Sequence, residues 1–230
     1  MKLQPFDAKM KTQKEKKQMN SLRKFLSRRG MKAMTIGLIL IIAALCLTMY
    51  NYIDSYRAAR AANELANELA SQITGDGSQY YLVDPDIEMP TIDIGDRDCV
   101  GYVEIPALGL SLPVLSEWSY PNLKVAPCRY KGSVYLDNMI VAAHNYRTHF
   151  GTLESLEPGT QVIFTDTDGN RFEYEVSQLE LLNGTDVEKM EEGDWDLTLF
   201  TCTVGGRQRV TVRCTRTSDF GAYDPNAAVQ

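Results

Sequence analysis

The spacing of apolar and polar positions divides the chain into three unlike parts. From Ala33 to Ile53 no residue is charged, and the centre of the run is Ile36-Gly37-Leu38-Ile39-Leu40-Ile41-Ile42-Ala43-Ala44-Leu45. At about 1.5 Å per helical residue, these 21 residues span roughly 31 Å, the thickness of a hydrocarbon core. From Asp54 to Ile73 the apolar positions take a helical spacing, with Leu65, Leu69 and Ile73 four apart in an Ala-Asn-Glu-Leu repeat. This predicts a helix, either a stalk or a helix docked on the body, ended by Gly75-Asp76-Gly77-Ser78. The acidic stretch 79–98, with Asp84-Pro85-Asp86 and Met89-Pro90, reads as an irregular linker.

Beyond Cys99 the period becomes two. Val100–Ile105 alternates, Pro106 breaks it, and Leu110–Leu115 follows. Met139-Ile140-Val141-Ala142-Ala143 reads as a buried strand that runs into His144. Gln161–Thr165 and Arg171–Leu182 pair around the turn Asp166-Thr167-Asp168-Gly169-Asn170. Leu197–Cys202 and residues 209–215 flank Gly205-Gly206 as a hairpin. In its second strand Val210, Val212 and Cys214 share one face, and Arg209, Thr211, Arg213 and Thr215 the other. Trp118–Ser133 is non-periodic, with room for one short helix and a loop, and 183–195 is an acidic surface loop. Short strands broken by Pro and Gly predict a mostly β barrel or sandwich.

Charge sharpens the picture. With 230 residues, 44% of them hydrophobic, the chain supports one core plus appendages. The net charge of −6 conceals an asymmetry, since residues 1–32 hold 11 Lys/Arg against Asp7 and Glu15. Arg28, Arg29 and Lys32 precede the apolar run and Asp54 follows it, so the positive-inside rule predicts a cytoplasmic N-terminus and an external C-terminal body. The basic region is too long, and the apolar run too extended, for a cleaved signal peptide. The basic head has little aromatic interleaving and abuts the span, so anionic lipid explains it more simply than nucleic acid does. The expected organisation is a basic segment 1–32, an anchor 33–53, a helical stalk and linker 54–98, a catalytic domain 99–218 and a tail 219–230.

The candidate chemistry lies in the hairpin and upstream of it. Cys202 ends one strand and Arg209 opens the next, and a cation or histidine nearby turns a cysteine into a better nucleophile. The only histidines are His144 and His149, too few for a zinc site, and there is no Cys-x-x-Cys. Five cysteines occur, at 46, 99, 128, 202 and 214; a free nucleophile at Cys202 leaves three outside the span and at most one disulfide.

Thr198-Leu199-Phe200-Thr201-Cys202 followed by Arg209-Val210-Thr211-Val212 resembles the signature of sortases, the cysteine transpeptidases of Gram-positive cell surfaces. His144-Asn145, then Phe150-Gly151-Thr152-Leu153, and the Ile105-Pro106 and Leu112-Pro113-Val114 pair are similar to the family in the same order. The likeness covers about residues 99–216. It implies a closed β-barrel, with Cys202 as nucleophile, His144 as general acid and base, and Arg209 as donor to substrate carbonyls or the oxyanion. Thr201 and Asn145 would line the substrate site. The implied substrates are surface proteins or pilins bearing a C-terminal LPxTG-like sorting signal. The implied acceptor is an amine of a lipid-linked peptidoglycan precursor or a pilin lysine, and no cofactor or metal is implied. The short 177–196 interval favours a class A- or D-like member over class B. His149 competes for the base and Arg207 for the arginine. A silent membrane-tethered receptor or scaffold, and a peptidase that only hydrolyses, are the alternative readings.

Overall fold

The structure, a computed structural model, describes residues 6–73, 87–217 and 221–222. The Gly75–Ser78 break, Asp84-Pro85-Asp86 and nearly all of the 219–230 tail lie outside these residues. The chain divides into two compact units, residues 1–53 and 54–230. Helix α1 runs from Phe6 to Gln72. Within Gly30–Gln72 lies a stretch long and apolar enough to cross a membrane, and its apolar side chains, Ile36 to Leu47, are exposed.

In the second unit, residues 54–73 are docked on the strands. Ala58, Ala62, Leu65, Leu69 and Ile73 are buried, which is the face that the four-residue spacing predicts. Leu65, Leu69 and Ile73 pack with Ile94, Cys99, Tyr102, Leu115, Ala126 and Cys128. The 87–98 stretch is irregular apart from β1 (Ile92–Asp93), but its Met89 and Ile94 are buried, so it packs as part of the body.

The body is a closed eight-stranded barrel. Its strands are β2 (Asp98–Ile105), β3 (Leu110–Leu115), β4 (Cys128–Lys131), β5 (Met139–Ala143), β6 (Gln161–Asp166), β7 (Asn170–Asn183), β8 (Leu197–Cys202) and β9 (Gln208–Arg216). They pair in the order β2-β3-β4-β5-β8-β9-β7, and β6 closes the ring by pairing both β7 and β2. The edge strands β1 and β10 (Gly221–Ala222) extend β2 and β7. Closure leaves no free edge in the ring itself. Inward residues of seven of the eight strands, including Val103, Val114, Val141, Phe164, Tyr174, Leu199 and Val212, form one core, and Cys128 of β4 packs instead with the 54–73 helix.

The expected strands all appear. One further strand, β4, lies in the stretch read as loop, where Cys128, Arg129 and Lys131 pair with β5 across an irregular register. A four-residue helix, α2 (Tyr120–Leu123), precedes it, and the 183–195 loop contains α3 (Val187–Glu191).

Candidate active site

Three adjacent strands end together. β5 and β8 run parallel with Ala143 opposite Thr201, and β8 and β9 run antiparallel with Cys202 opposite Arg209. Alternation puts Leu197, Leu199 and Thr201 inside the barrel and Thr198, Phe200 and Cys202 outside. The outward neighbours on β9 are Arg213, Thr211 and Arg209. On β5 they are Ile140 and Ala142, and the next outward position, one residue past the strand, is His144. Carried one step further, the β5–β8 register sets His144 beside Cys202. His144, Cys202 and Arg209 therefore share the outer surface at one end of three neighbouring strands.

Local bonding holds each position. The Thr201 hydroxyl is buried and donates to the Ala143 carbonyl (2.9 Å), strapping β8 to β5 just before His144. After β5 the chain makes a tight loop, in which Phe150 N donates to His144 O at 3.3 Å and the His149 and Gly151 amides both donate to Tyr146 O at 2.9 Å. A side chain at Gly151 would sit 2.4 Å from the Asn145 carbonyl oxygen, so this loop closes only around glycine. The β8–β9 turn closes with Thr203 N on Gln208 O (2.9 Å) and Gly206 N on Thr203 O (2.8 Å).

The two arginines differ. Arg209 is half-buried, and its Nη1 donates to the carbonyls of Gly206 (3.0 Å) and Gln208 (3.3 Å), which holds the guanidinium against the turn beside Cys202. Arg207 is exposed in the turn, and its backbone carbonyl accepts from Gly184 N (2.9 Å). The histidines differ as well. His144 is half-buried, whereas His149 is fully buried, its pKa pushed down to about 4 by burial and by His144, against the opposing pull of the Ala58 backbone.

All five cysteines are free. Burial pushes the thiols of Cys99, Cys128 and Cys214 up to about 12, as expected of inert core residues. Cys202 is half-buried and outside the core. Two cavities meet at it. One, of about 300 Å³, is lined by Tyr130, Ala142, Phe200 and Arg209 of the strands and by Val187 and Met190 of α3. Tyr120, Trp118, Tyr130 and Phe200 follow one another along it with ring centroids 5.2, 6.1 and 5.5 Å apart. The other, of about 290 Å³, includes Asn145, Phe150, Glu154, Thr203 and Val204. Among the described residues no three His, Cys, Asp or Glu groups converge as metal ligands.

The aromatic wall was not anticipated from the sequence, although Trp118, Tyr120 and Tyr130 in an otherwise patternless stretch were the available signal. Arg213 was placed on an outward face but not read as buried. It donates to Glu180 (2.8 Å), Thr198 Oγ1 (3.0 Å) and the carbonyls of Met190 (2.8 Å) and Lys189 (2.6 Å), clasping α3 to the barrel.

A family model described as the sortase domain matches residues 103–217, half of the chain. The chain belongs to the sortase family. It is 23% identical over 180 residues to sortase A of Bacillus anthracis, covering 73% of this chain and 85% of that protein. Among solved structures, sortase C of Streptococcus pneumoniae superposes with a TM-score of 0.54 at 20% identity, over 69% of this chain and 98% of that one. The sortase D5 transpeptidase of Clostridium perfringens gives 0.53 at 15% identity, over 69% and 99%. These likenesses extend to classes A, C and D and establish the barrel as the sortase fold. As a member of that family, the chain falls among the cysteine transpeptidases of protein sorting. The apolar helix near its N-terminus fits the single-pass anchor of such an enzyme.

Proposed function

We propose that this sortase cleaves an LPxTG-like signal through a thioester on Cys202 and passes the acyl group to an amine. The observation that carries the reading is the convergence of His144, Cys202 and Arg209 on the outward ends of β5, β8 and β9, where an aromatic groove runs up to the thiol. An extended peptide with apolar residues ahead of the scissile bond fits that groove.

The Cys202 sulfur, its proton passing to His144, adds to the carbonyl carbon of the signal's threonine. The carbon–nitrogen bond breaks, and the leaving amine takes a proton from His144. Arg209, its fork held at the turn, donates to the carbonyl oxygen as negative charge develops there. The second cavity, beyond Cys202, offers the approach for an amine of a lipid-linked peptidoglycan precursor or a pilin lysine. That amine attacks the thioester, His144 receives its proton, and as the carbon–sulfur bond breaks His144 returns the proton to the sulfur to restore the thiol. Asn145 lines this side. Thr201 serves by holding β8 to β5, its hydroxyl being committed to Ala143.

A class A- or D-like member is favoured because only the five-residue α3 stands between β7 and β8. The basic 1–32 segment, 33–53 anchor and external 99–218 catalytic domain complete the reading. The test is turnover of a peptide bearing the signal, with and without a primary amine. Amine-stimulated transfer is the expected result. Amine-independent hydrolysis would mean a peptidase, and no turnover a scaffold.

A further inference from the structure

His144 lacks the support that a base histidine usually has. Its Nδ1 is buried with no hydrogen-bond partner, so no carboxylate or carbonyl on that nitrogen fixes the angle of the ring. What lies against the imidazole is the ring of Tyr146, with centroids 4.0 Å apart and planes 6° from parallel. Tyr146 is itself held on three sides. Its hydroxyl donates to a carboxylate oxygen of Asp54, the first residue after the apolar run. The edge of buried His149 meets it at 5.5 Å and 69°. Its own carbonyl accepts the amides of His149 and Gly151, each at 2.9 Å.

We propose that Tyr146 is the positioning residue for His144 and that Asp54 locks it in place. A face-to-face ring contact restricts the tilt of an imidazole, and it transmits orientation only if the second ring is fixed. The Asp54 carboxylate supplies that fixed point. The partly buried hydroxyl–carboxylate bond is charge-assisted, and so stronger than a neutral one. The helical turn directly after the apolar run thus belongs to the catalytic apparatus of the barrel as well as to its packing. Sequence spacing hides the link, because Asp54 and Tyr146 lie 92 positions apart.

The inference rests on His144 being the general acid and base, and the experiment separates the two claims. Full-length protein in detergent micelles is assayed with an LPxTG-like peptide and triglycine as the amine. His144→Ala tests the underlying reading, and normal transfer by that variant overturns the reading and the inference together. Given a crippled His144→Ala, Tyr146→Leu should lower kcat roughly three- to tenfold with KM unchanged, the scale of one aromatic pair. Tyr146→Phe keeps the stack and loses only the Asp54 bond, so it should lose about two- to threefold, as should Asp54→Asn. The two losses should not add when combined, since either variant removes the same bond. In a His144→Ala background Tyr146→Leu should cost nothing further, whereas a purely structural role would add its loss in full. Wild-type kcat in Tyr146→Leu, or full additivity with His144→Ala, overturns the proposal. Should Tyr146→Leu fail to fold, the Tyr146→Phe and Asp54→Asn pair decides, and wild-type kcat in both overturns it.

Discussion

At the scale of single residues, the site separates groups of the same chemical type by where each one sits. Cys202 ends a strand at the surface, while Cys99, Cys128 and Cys214 lie in the core with thiols pushed up to about 12. Cys202→Ala is therefore expected to abolish thioester formation, read by mass spectrometry, while alanine at any of the other three lowers stability and leaves the thioester. Arg209→Lys keeps the charge but loses the planar fork. Its expected cost is about 10²–10³-fold in steady-state transfer, comparable to removing one oxyanion donor. Arg207→Lys should stay near wild type, because that side chain is exposed in the turn. His149 shows how burial turns a titratable group into a pH sensor of stability. Its folded pKa of about 4 lies below the 6.5 of an unhindered imidazole, so between these values the unfolded chain binds more protons. Stability is then complete above pH 6.5 and falls as pH drops towards 4, by up to ~1.4 kcal/mol per pH unit. Asp166 and Glu104, raised by burial, act in the opposite sense in the carboxylate range. Denaturant melts of wild type and His149→Asn isolate the histidine contribution, which should vanish in the variant.

At the scale of elements, the outer face of β8 and β9 holds one row of residues, from the proposed site to the groups that brace α3. Cys202 and Arg209 form its open end, Phe200 and Thr211 the middle, and Thr198 and Arg213 the closed end under α3. Because α3 contributes Val187 and Met190 to the groove, the Arg213 clasp sets the position of one wall of the proposed substrate site. Arg213→Met would leave two helix carbonyls and the Glu180 carboxylate without their donor. The expected stability loss is about 3–5 kcal/mol in thermal or denaturant melts, the scale of breaking a buried ionic network. KM for the peptide should rise more than kcat falls, since the groove wall loosens while the Cys202–Arg209 pairing stays. A kcat effect with KM unchanged would mean that α3 does not contact substrate.

At the scale of the whole molecule, the helix after the apolar run acts as a piece of the body. Leu69 is fully buried against Cys99, Leu115 and Cys128, so Leu69→Ala should cost about 2–5 kcal/mol by its transfer and cavity terms. An exposed stalk residue would cost almost nothing, and a denaturant melt separates the two. The basic head and the apolar run also make a prediction for intact cells. External protease should digest the C-terminal body and spare residues 1–32. Recovery of the basic head in the digested fraction would overturn the proposed orientation.

The chain's own pattern determined the elements whose period is strong. The apolar run, the 54–73 helix and the hairpin at 197–215 follow from spacing, because a buried face imposes its period on the sequence. The family order of His144, Cys202 and Arg209 was legible for the same reason, since each sits at a strand end that the pattern marks. Other features depended on contacts between distant segments. β4 is short, irregular in register and only partly buried, so it carries no alternation to read. Arg213 looked solvated on its outward face, and only the return of α3 over β9 buries it. His149 looked like a loop histidine until the docked helix and the 144–151 turn enclosed it. Whether residues 54–73 form a stalk or a docked helix was undecided by their spacing, because an apolar stripe names a face and not its partner. The strands supplied the partner, and with it the contact from Asp54 through Tyr146 to His144.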